Sequence, residues 1–331
     1  MITQPFKIVL ALLWFIASST ALLADSAADS AKQMLAAGRV DEAITELSGR
    51  LSSAATAASD AESSNLLCRA YFALENWDRA ESSCKKAVAL DPNNGRYHLW
   101  LGRVYGEKAD RANFLSAAGL AGKVRGEFEH AVQLNPNDVD ARLDLAEFYL
   151  EAPGIVGGGE DKAREQAQYV AAINPAREHW IYARMAEKKK DFVTAEREYH
   201  QYIDLSKGDS EAWLNLALFL RRQKRFDEME HAIVKLSQGP MSKPESLVEG
   251  AEMLYRNGRD YTFATELLHR YLASGPVEAA PAFKARYLLG LLLEKQGDKK
   301  GAAQEYRASL SLARNFGNAQ QALNRVAPRV S

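Results

Sequence analysis

The stretch from Leu66 to Pro92, LLCRAYFALENWDRAESSCKKAVALDP, constrains the fold more than any other part of the chain. Each half carries apolar or small residues at spacings of three and four, which predicts two helices with one apolar stripe each. The polar residues between the halves predict a turn, with Asp78 as the N-cap of the second helix. Neither helix can bury its stripe alone, so we expect this pair to stack against other pairs.

The same pattern returns further along the chain, where Leu101 and Tyr105 stand 34 residues after Leu67 and Tyr71. This spacing and these residue types resemble the tetratricopeptide repeat (TPR) family. The resemblance implies an all-α, right-handed superhelix (solenoid) of about eight helix-turn-helix units over residues 27–326, with one continuous core. We expect units at about 27–58, 61–94, 95–138, 139–175, 176–209, 210–243, 245–278 and 283–316, then a solvating cap helix and tail at 317–331.

The N-terminus has a different composition from the repeats. Lys7 precedes an apolar run, and smaller residues follow up to Ala24. This order predicts a secretory signal peptide at about 1–24, cleaved after Ala24 or Ala21. The alternative is an uncleaved anchor, with Lys7 holding the N-terminus inside. Both interpretations place the repeats outside the cytoplasm, which in a bacterium is the periplasm.

Net charge and residue spacing disfavour several classes of partner. The formal net charge of −1 gives no general attraction for nucleic acid. The six His residues are scattered, and none stands at ligand spacing from another His or from a Cys, so we expect no metal. We expect no cofactor, and contact with a membrane only through an uncleaved N-terminal segment.

Two insertions interrupt the regular units, at 106–124 and 152–160, and both are expected in the turn inside their unit. Three glycines of the first insertion and its flank share one helix face, which suggests close approach by another segment. We expect the second loop to pack on that face and to display Ile155 and Val156, as a brace or as a partner-contact patch. The glycines concerned are Gly119, Gly122 and Gly126 on the face, and Gly154, Gly157, Gly158 and Gly159 in the loop. A nucleotide-binding loop is disfavoured, because no Gly-Lys-Ser/Thr and no strand are present.

The resemblance also implies a concave groove lined by the first helix of each unit. The candidate partner-binding residues there are Arg69, Arg96, Arg103, Arg177, Trp180 and Arg184. Guanidinium groups with a nearby aromatic ring suit a carboxylate-bearing or acidic peptide. Pairing of these arginines with acidic neighbours on a solvated face is an equal alternative. The Lys/Asn carboxylate clamp known in this family is not found in register.

The chain has two cysteines and one short match to a catalytic motif. Cys68 and Cys84 lie on the two antiparallel helices of one unit and form either a disulfide or two small buried thiols. Ser82 and Lys85 match Ser-x-x-Lys, a short pattern that arises by chance, and no other catalytic motif is present. We therefore expect a non-catalytic protein–protein interaction scaffold of the cell envelope. The alternative is an assembly subunit whose repeats oligomerise end to end.

Overall fold

The computed structural model describes residues 28–52 and 56–327, and every regular element within these ranges is helical. The helices are α1 (28–36), α2 (Val40–Leu51), α3 (Ala57–Ala73), α4 (Trp77–Leu90), α5 (Gly95–Asp110), α6 (Phe114–Leu134), α7 (Val139–Glu151), α8 (Glu160–Ile173), α9 (Pro175–Lys188), α10 (Phe192–Leu205), α11 (Ser210–Arg222), α12 (Phe226–Gln238), α13 (Ser246–Arg256), α14 (Tyr261–Ser274), α15 (Ala282–Lys295), α16 (Lys299–Leu312) and α17 (Gly317–Val326). A short 3-10 helix, Gly154–Val156, lies between α7 and α8. The all-α solenoid of about eight helix pairs with a terminal helix is confirmed.

Side-chain caps begin many of the helices, as α4 illustrates. Asn76 Oδ1 accepts a hydrogen bond from the backbone N–H of Arg79 at 3.3 Å, so Asn76 is the N-cap. The prediction that Asp78 caps this helix is wrong, because Asp78 already lies in its first turn. Its carboxylate instead accepts from Lys108 Nζ of α5 at 2.7 Å, which ties the turn to the next unit.

The paired helices of a unit approach closely where the repeat places a glycine. A Cβ added to Gly102 would overlap the ring of Phe128 on the partner helix, and one added to Gly290 would overlap the ring of Tyr306. Both rings lie in apolar clusters shared by successive helices, and Tyr306 is fully buried. The core is therefore continuous from unit to unit, as the stacking argument requires.

The first and last described units meet, and the described solenoid closes on itself. Leu35 and Leu47 of the first helix pair share one apolar cluster with Phe283 of α15 and with Phe316, directly before α17. A Cβ on Gly38, at φ +73°, would overlap the backbone nitrogen of Ala282. We call these contacts, made by residues 28–75 with residues 278–319, the closure interface. The C-terminal cap helix is confirmed as α17, and Ala319 of this helix and Phe316 directly before it also pack against the first unit.

The first insertion differs from its prediction. The chain is helical on both sides of 111–113, so most of 106–124 lengthens α5 and α6 and does not form a turn. The cause is local: Asn113 Oδ1 accepts from the N–H of Ser116 at 3.0 Å and starts α6 early, ahead of a run of apolar and small residues. The second insertion does lie in the turn, where it forms the 3-10 helix.

Among the residues that the structure describes, no helix combines the length and the apolar character needed to cross a bilayer. The predicted signal peptide at 1–24 lies outside the described residues, as do 53–55 of the first unit and the end of the tail.

Candidate functional site

The first helices of units three to six line a concave cavity of about 540 Å³. Arg103 of α5, Arg177 and Trp180 of α9 come together there, as the sequence predicts for a groove. The loops before α13 and α15 complete the wall with Lys243, Glu245 and Ala279. The cavity is therefore formed by elements from both halves of the closed solenoid.

Arg177 is fully engaged with carboxylates of the neighbouring units. Its Nη1 donates to Asp140 Oδ1 at 2.6 Å, and its Nε and Nη2 donate to Glu211 at 2.5–3.1 Å. Burial alone would lower the pKa of Arg177, but Glu211 and Asp140 raise it above its usual value. Burial likewise opposes ionisation of Glu211, yet Arg177 and Lys243 hold its pKa below the ordinary value. The charged groups of this cluster therefore stay ionised, and the Arg177 guanidinium has no nitrogen free to bind a ligand.

The other groove arginines are also paired. Arg103 Nε donates to Asp144 at 2.6 Å, and its guanidinium lies 5.1 Å from the ring centroid of Trp100. Arg184 Nη2 donates to Glu147 at 2.7 Å and to Glu151 at 2.9 Å. The structure therefore favours the alternative, in which these arginines pair with acidic neighbours. All guanidinium nitrogens of Arg177 and Arg184 are bonded, so the expectation that these two forks bind an acidic peptide is corrected. Arg103 is bonded to Asp144 through Nε.

Three of the predicted arginines, Arg69, Arg96 and Arg184, are not among the residues that line this cavity. Arg69 is buried in the closure interface, where it forms a bidentate ion pair with Glu278. Arg96 is exposed at the start of α5 and is not among the lining residues. Trp180 does line the cavity, and its Nε1–H donates to Asn215 Oδ1 of the next unit at 2.8 Å. Its ring is thus held in one orientation at the wall.

The cavity carries an excess of negative charge. Counted over the described residues that line it, five carboxylates face three cations. The carboxylates are Asp140, Asp144, Glu147, Glu211 and Glu245, and the cations are Arg103, Arg177 and Lys243. Burial raises the pKa of the Asp144 carboxyl despite the adjacent Arg103. Such a site favours a partner that brings positive charge.

Sequence reasoning missed Glu249, which stands beside this cavity on α13. Burial raises its pKa to about 7, helped by Glu245, Glu252 and Glu211 and opposed by Lys243. The residue is exposed on the surface of α13, so the protein around its carboxyl and the neighbouring carboxylates oppose ionisation without removing the group from water. The signal was present in the sequence, since Glu245, Glu249 and Glu252 recur at i, i+4 and i+7 on one helix face.

The two insertions lie side by side but do not pack as expected. A Cβ on Gly119, Gly122 or Gly126 would meet no atom within 4 Å, so the second loop does not cover that face. The contact is made instead by Arg125, whose Nη1 donates to the carbonyl oxygen of Val156 at 3.2 Å.

The second loop owes its shape to two of its glycines. A Cβ on Gly157, at φ +100°, would overlap the guanidinium of Arg125, and one on Gly158 would overlap the carbonyl oxygen of Ala152. A Cβ on Gly154 would meet no atom within 4 Å, and one on Gly159 would meet only Cγ and Cδ of Lys162, at 4.0 Å. The loop leaves Ile155 with 95% of its surface exposed, and Phe114 at the start of α6 is 86% exposed.

The structure shows how the two cysteines and the lysine of the Ser-x-x-Lys pair are bonded. Cys68 and Cys84 form a disulfide between α3 and α4, with Cα atoms 5.1 Å apart, which decides between the two alternatives. Lys85 donates to Glu81, and this hydrogen bond raises the pKa of Lys85, the opposite of what a general base needs. Within the described residues, no group of three or more His, Cys, Asp or Glu side chains is placed to hold a metal ion.

Comparison with protein families decides the identity of the repeats. Two family models described as tetratricopeptide repeat match this chain, one over residues 61–94 and the other over residues 251–322. The chain is a tetratricopeptide repeat protein. Proteins of the TPR family typically bind protein or peptide partners.

Similarity to a solved structure agrees with the fold of this TPR protein. The crystal structure of yeast Tom70 aligns with a TM-score of 0.51 at 17% identity, covering 87% of this chain and 58% of that one. The chain therefore spans little more than half the length of that Tom70 chain. A thermophilic TPR protein from Thermus thermophilus aligns with a TM-score of 0.48 at 19% identity, over 60% of this chain and 98% of its own. No curated protein matches the chain.

Proposed function

We propose that this TPR protein is an exported scaffold of the cell envelope whose concave cavity binds an extended peptide carrying Lys or Arg side chains. The observation that carries the proposal is the charge of the cavity wall, where carboxylates outnumber cations and each lining arginine already pairs with a carboxylate. A basic side chain gains from the excess of carboxylates, whereas an acidic peptide would have to compete with carboxylates that are already paired to the arginines.

The carboxylates retain the capacity to accept such a ligand. The side chain of Asp140 is 53% exposed and that of Glu147 is 37% exposed, although each already accepts from an arginine. A carboxylate has about four lone-pair sites, so one ion pair does not saturate it. Glu245 lines the wall and has no ion-pair partner among the described residues, so its charge is not balanced there. Glu249 stands beside the wall and adds negative charge once its carboxyl ionises.

The cell-envelope setting rests on the leader sequence and on the disulfide. Residues 1–24 have the order of charge, apolar core and small residues that a secretory signal requires. The Cys68–Cys84 disulfide fits a protein that folds in an oxidising compartment such as the periplasm. An uncleaved leader would keep the same scaffold attached to the inner membrane, facing the periplasm.

End-to-end assembly is less well supported, because the closure interface uses the apolar surfaces at which a solenoid would otherwise be extended. Measurement of mass against protein concentration addresses this alternative directly. We expect a single monomeric mass for the scaffold, and growth of linear oligomers would favour the assembly function.

Titration with fluorescein-labelled peptides tests the charge preference. The probes are a seven-residue Gly/Ala peptide with three lysines and the same peptide with glutamates in their place. We expect binding of the lysine peptide only, weakening as salt rises. Equal or tighter binding of the glutamate peptide would overturn the proposal.

A matched pair of variants locates the binding. Glu245→Gln combined with Glu249→Gln removes two carboxylates without breaking an ion pair and should weaken the lysine peptide about tenfold. Glu266→Gln, an exposed position outside the cavity wall, is the control. Photo-crosslinkers at Trp180 and at Ile155 then separate the cavity from the insertions in living cells. Crosslinking of a partner at Ile155 but not at Trp180 would show that the insertions, and not the concave cavity, bind the partner.

A further inference from the structure

A second cavity, of about 510 Å³, lies between the two ends of the chain. One side is formed by Glu75 of the second unit and Arg111 of the third, and the other by α13, α15 and Phe316. These parts are brought together by the closure interface, so the cavity exists only while the solenoid is closed. Ala279 lines both this cavity and the concave cavity described above, so the two are adjacent.

The floor of this second cavity is apolar and aromatic. Val248, Leu288 and Phe316 are buried, while Tyr255, Tyr287 and Leu291 are half-buried along the same wall. Glu249 lies at the edge of this floor with no hydrogen-bond or ion-pair partner among the described residues. Glu252 also lines it and pairs with Arg256 of its own helix.

The loop that joins the two cavities is held rigidly. Tyr271 Oη donates to the carbonyl oxygen of Ala280 at 2.5 Å and accepts from the N–H of Val277 at 2.8 Å. The same loop places Glu278 on Arg69 across the closure interface. The wall at Ala279 is therefore fixed by closure at one side and by α14 at the other.

We propose that this second cavity is an anchor site for a bulky apolar side chain that lies next to a basic residue in the bound peptide. The apolar floor would bury the side chain and Glu249 would pair with the neighbouring cation. This inference rests on the proposed function, because the peptide reaches the anchor site from the concave cavity past Ala279.

Anchoring also couples the ligand to closure. A side chain seated between α13, α15 and the Glu75 turn contacts both ends of the chain, so it binds the closed form and not an open one. By linkage, weakening the closure interface must weaken anchored binding more than unanchored binding.

The test compares two lysine peptides that differ only in one central residue, alanine or phenylalanine. Burial of the phenylalanine ring should tighten binding about tenfold or more in the parent protein. Leu291→Ser, on the floor of the cavity, should abolish that gain. Leu272→Ser, a half-buried leucine outside the cavity, should keep it.

Closure is varied independently with Glu278→Gln, which weakens the pairing with Arg69 without changing a lining residue of the second cavity. We expect it to reduce the phenylalanine gain and to leave the affinity of the alanine peptide nearly unchanged. Glu305→Gln, which removes an ion pair with Arg286 away from both cavities, is the matched control.

The outcomes distinguish the two proposals. Binding of the alanine peptide with no gain from phenylalanine would overturn the anchor site and leave the proposed function standing. Absence of binding by either peptide would overturn the proposed function. A phenylalanine gain that survives Leu291→Ser would place the anchor elsewhere, and one that survives Glu278→Gln in full would refute coupling to closure.

Discussion

Arg69 of α3 and Glu278 of the loop before α15 form a bidentate ion pair that joins positions 209 residues apart. The Arg69 side chain is only 9% exposed and that of Glu278 is 20% exposed, so the pair is largely shielded from water. Lys284 and Glu75 form a second, more exposed pair beside it at 3.1 Å. This pair adds a polar link to the apolar contacts that hold the first and last described units together.

Removing one partner of this link should destabilise the protein substantially. Arg69→Met leaves the Glu278 carboxylate in a poorly hydrated position, and the expected loss is about 3 kcal/mol of unfolding free energy. Chemical denaturation measures it, and the double variant with Glu278→Gln gives the coupling energy of the pair. Arg325→Ala, which removes a more exposed pair with Glu294, should cost at most about 1 kcal/mol. Equal losses of unfolding free energy in Arg69→Met and Arg325→Ala would show that the Arg69–Glu278 pair stabilises the protein no more than an exposed ion pair does.

The same variants should change the separation of the chain ends. Nitroxide labels at Ser48→Cys and Gln304→Cys, both exposed in helices of the first and last units, report that distance. The native cysteines are bonded to each other and do not take up the label. A broader and longer distance distribution in Arg69→Met is the expected result, and an unchanged distribution would mean that the apolar contacts alone maintain closure.

Local patterns explain why the helices were predictable and closure was not. The spacing of Leu67, Tyr71 and their equivalents at Leu101 and Tyr105 encodes each unit and its contact with the next. Closure depends on small rotations between units that accumulate over the whole solenoid, and no short pattern records their sum. Arg69 therefore looked like a groove residue, although accumulated curvature brings Glu278 onto it.

Local sequence patterns likewise predicted only part of the candidate site. Arg103, Arg177 and Trp180 were placed in the groove from their positions in the repeat, and the structure brings them into one cavity. Their partners Asp144 and Glu211 come from neighbouring units, so pairing depends on side-chain reach across an interface. The prediction that the second loop packs on the Gly122 face is wrong, because the face is open. A glycine pattern shows where another segment could approach closely, but not whether one does.

The disulfide should contribute measurably to stability. Cys68 and Cys84 are separated by 16 positions, and closing a loop of that size stabilises the folded chain by about 3 kcal/mol. Thermal unfolding with and without reductant measures the effect, and a thiol assay under denaturing, non-reducing conditions counts free thiols. The Cys68→Ala, Cys84→Ala variant should melt near the reduced parent and should not respond to reductant. Two free thiols in the untreated protein would exclude the bridge.

Two glycine substitutions should change the stability of the protein in opposite directions. Gly158→Ala places a Cβ on the carbonyl oxygen of Ala152 and should destabilise the second insertion by about 1–3 kcal/mol. Gly122→Ala adds a methyl group to an open helix face and should stabilise α6 by about 0.5–1 kcal/mol. Melting temperatures of the two variants provide the comparison. A loss at Gly122 as large as that at Gly158 would restore the idea that a segment packs on that face.

Glu249 should make stability depend on pH in a defined window. Because its folded pKa is raised to about 7, the native state holds a proton that the unfolded chain releases near the ordinary value of 4.5. The contribution to stability is therefore present below about 4.5 and is lost as the pH rises to about 7. Glu249→Gln should raise the melting temperature at pH 8 relative to the parent and leave it nearly unchanged at pH 5.

The comparison with the parent at each pH is needed because other groups titrate in the same range. The hydrogen bond with Glu127 raises the pKa of His98, and that contribution to stability is also lost as the pH rises through the folded pKa. The charged groups around Glu249 are Glu252 and Arg256 on its own helix and Glu245 directly before it, with Lys243, Glu211, Glu75, Arg111 and Lys284 on the elements that face it. A Glu249→Gln shift that is identical at pH 5 and pH 8 would show that the carboxyl titrates outside this window, and the charge assigned to the cavity at neutral pH would then need revision.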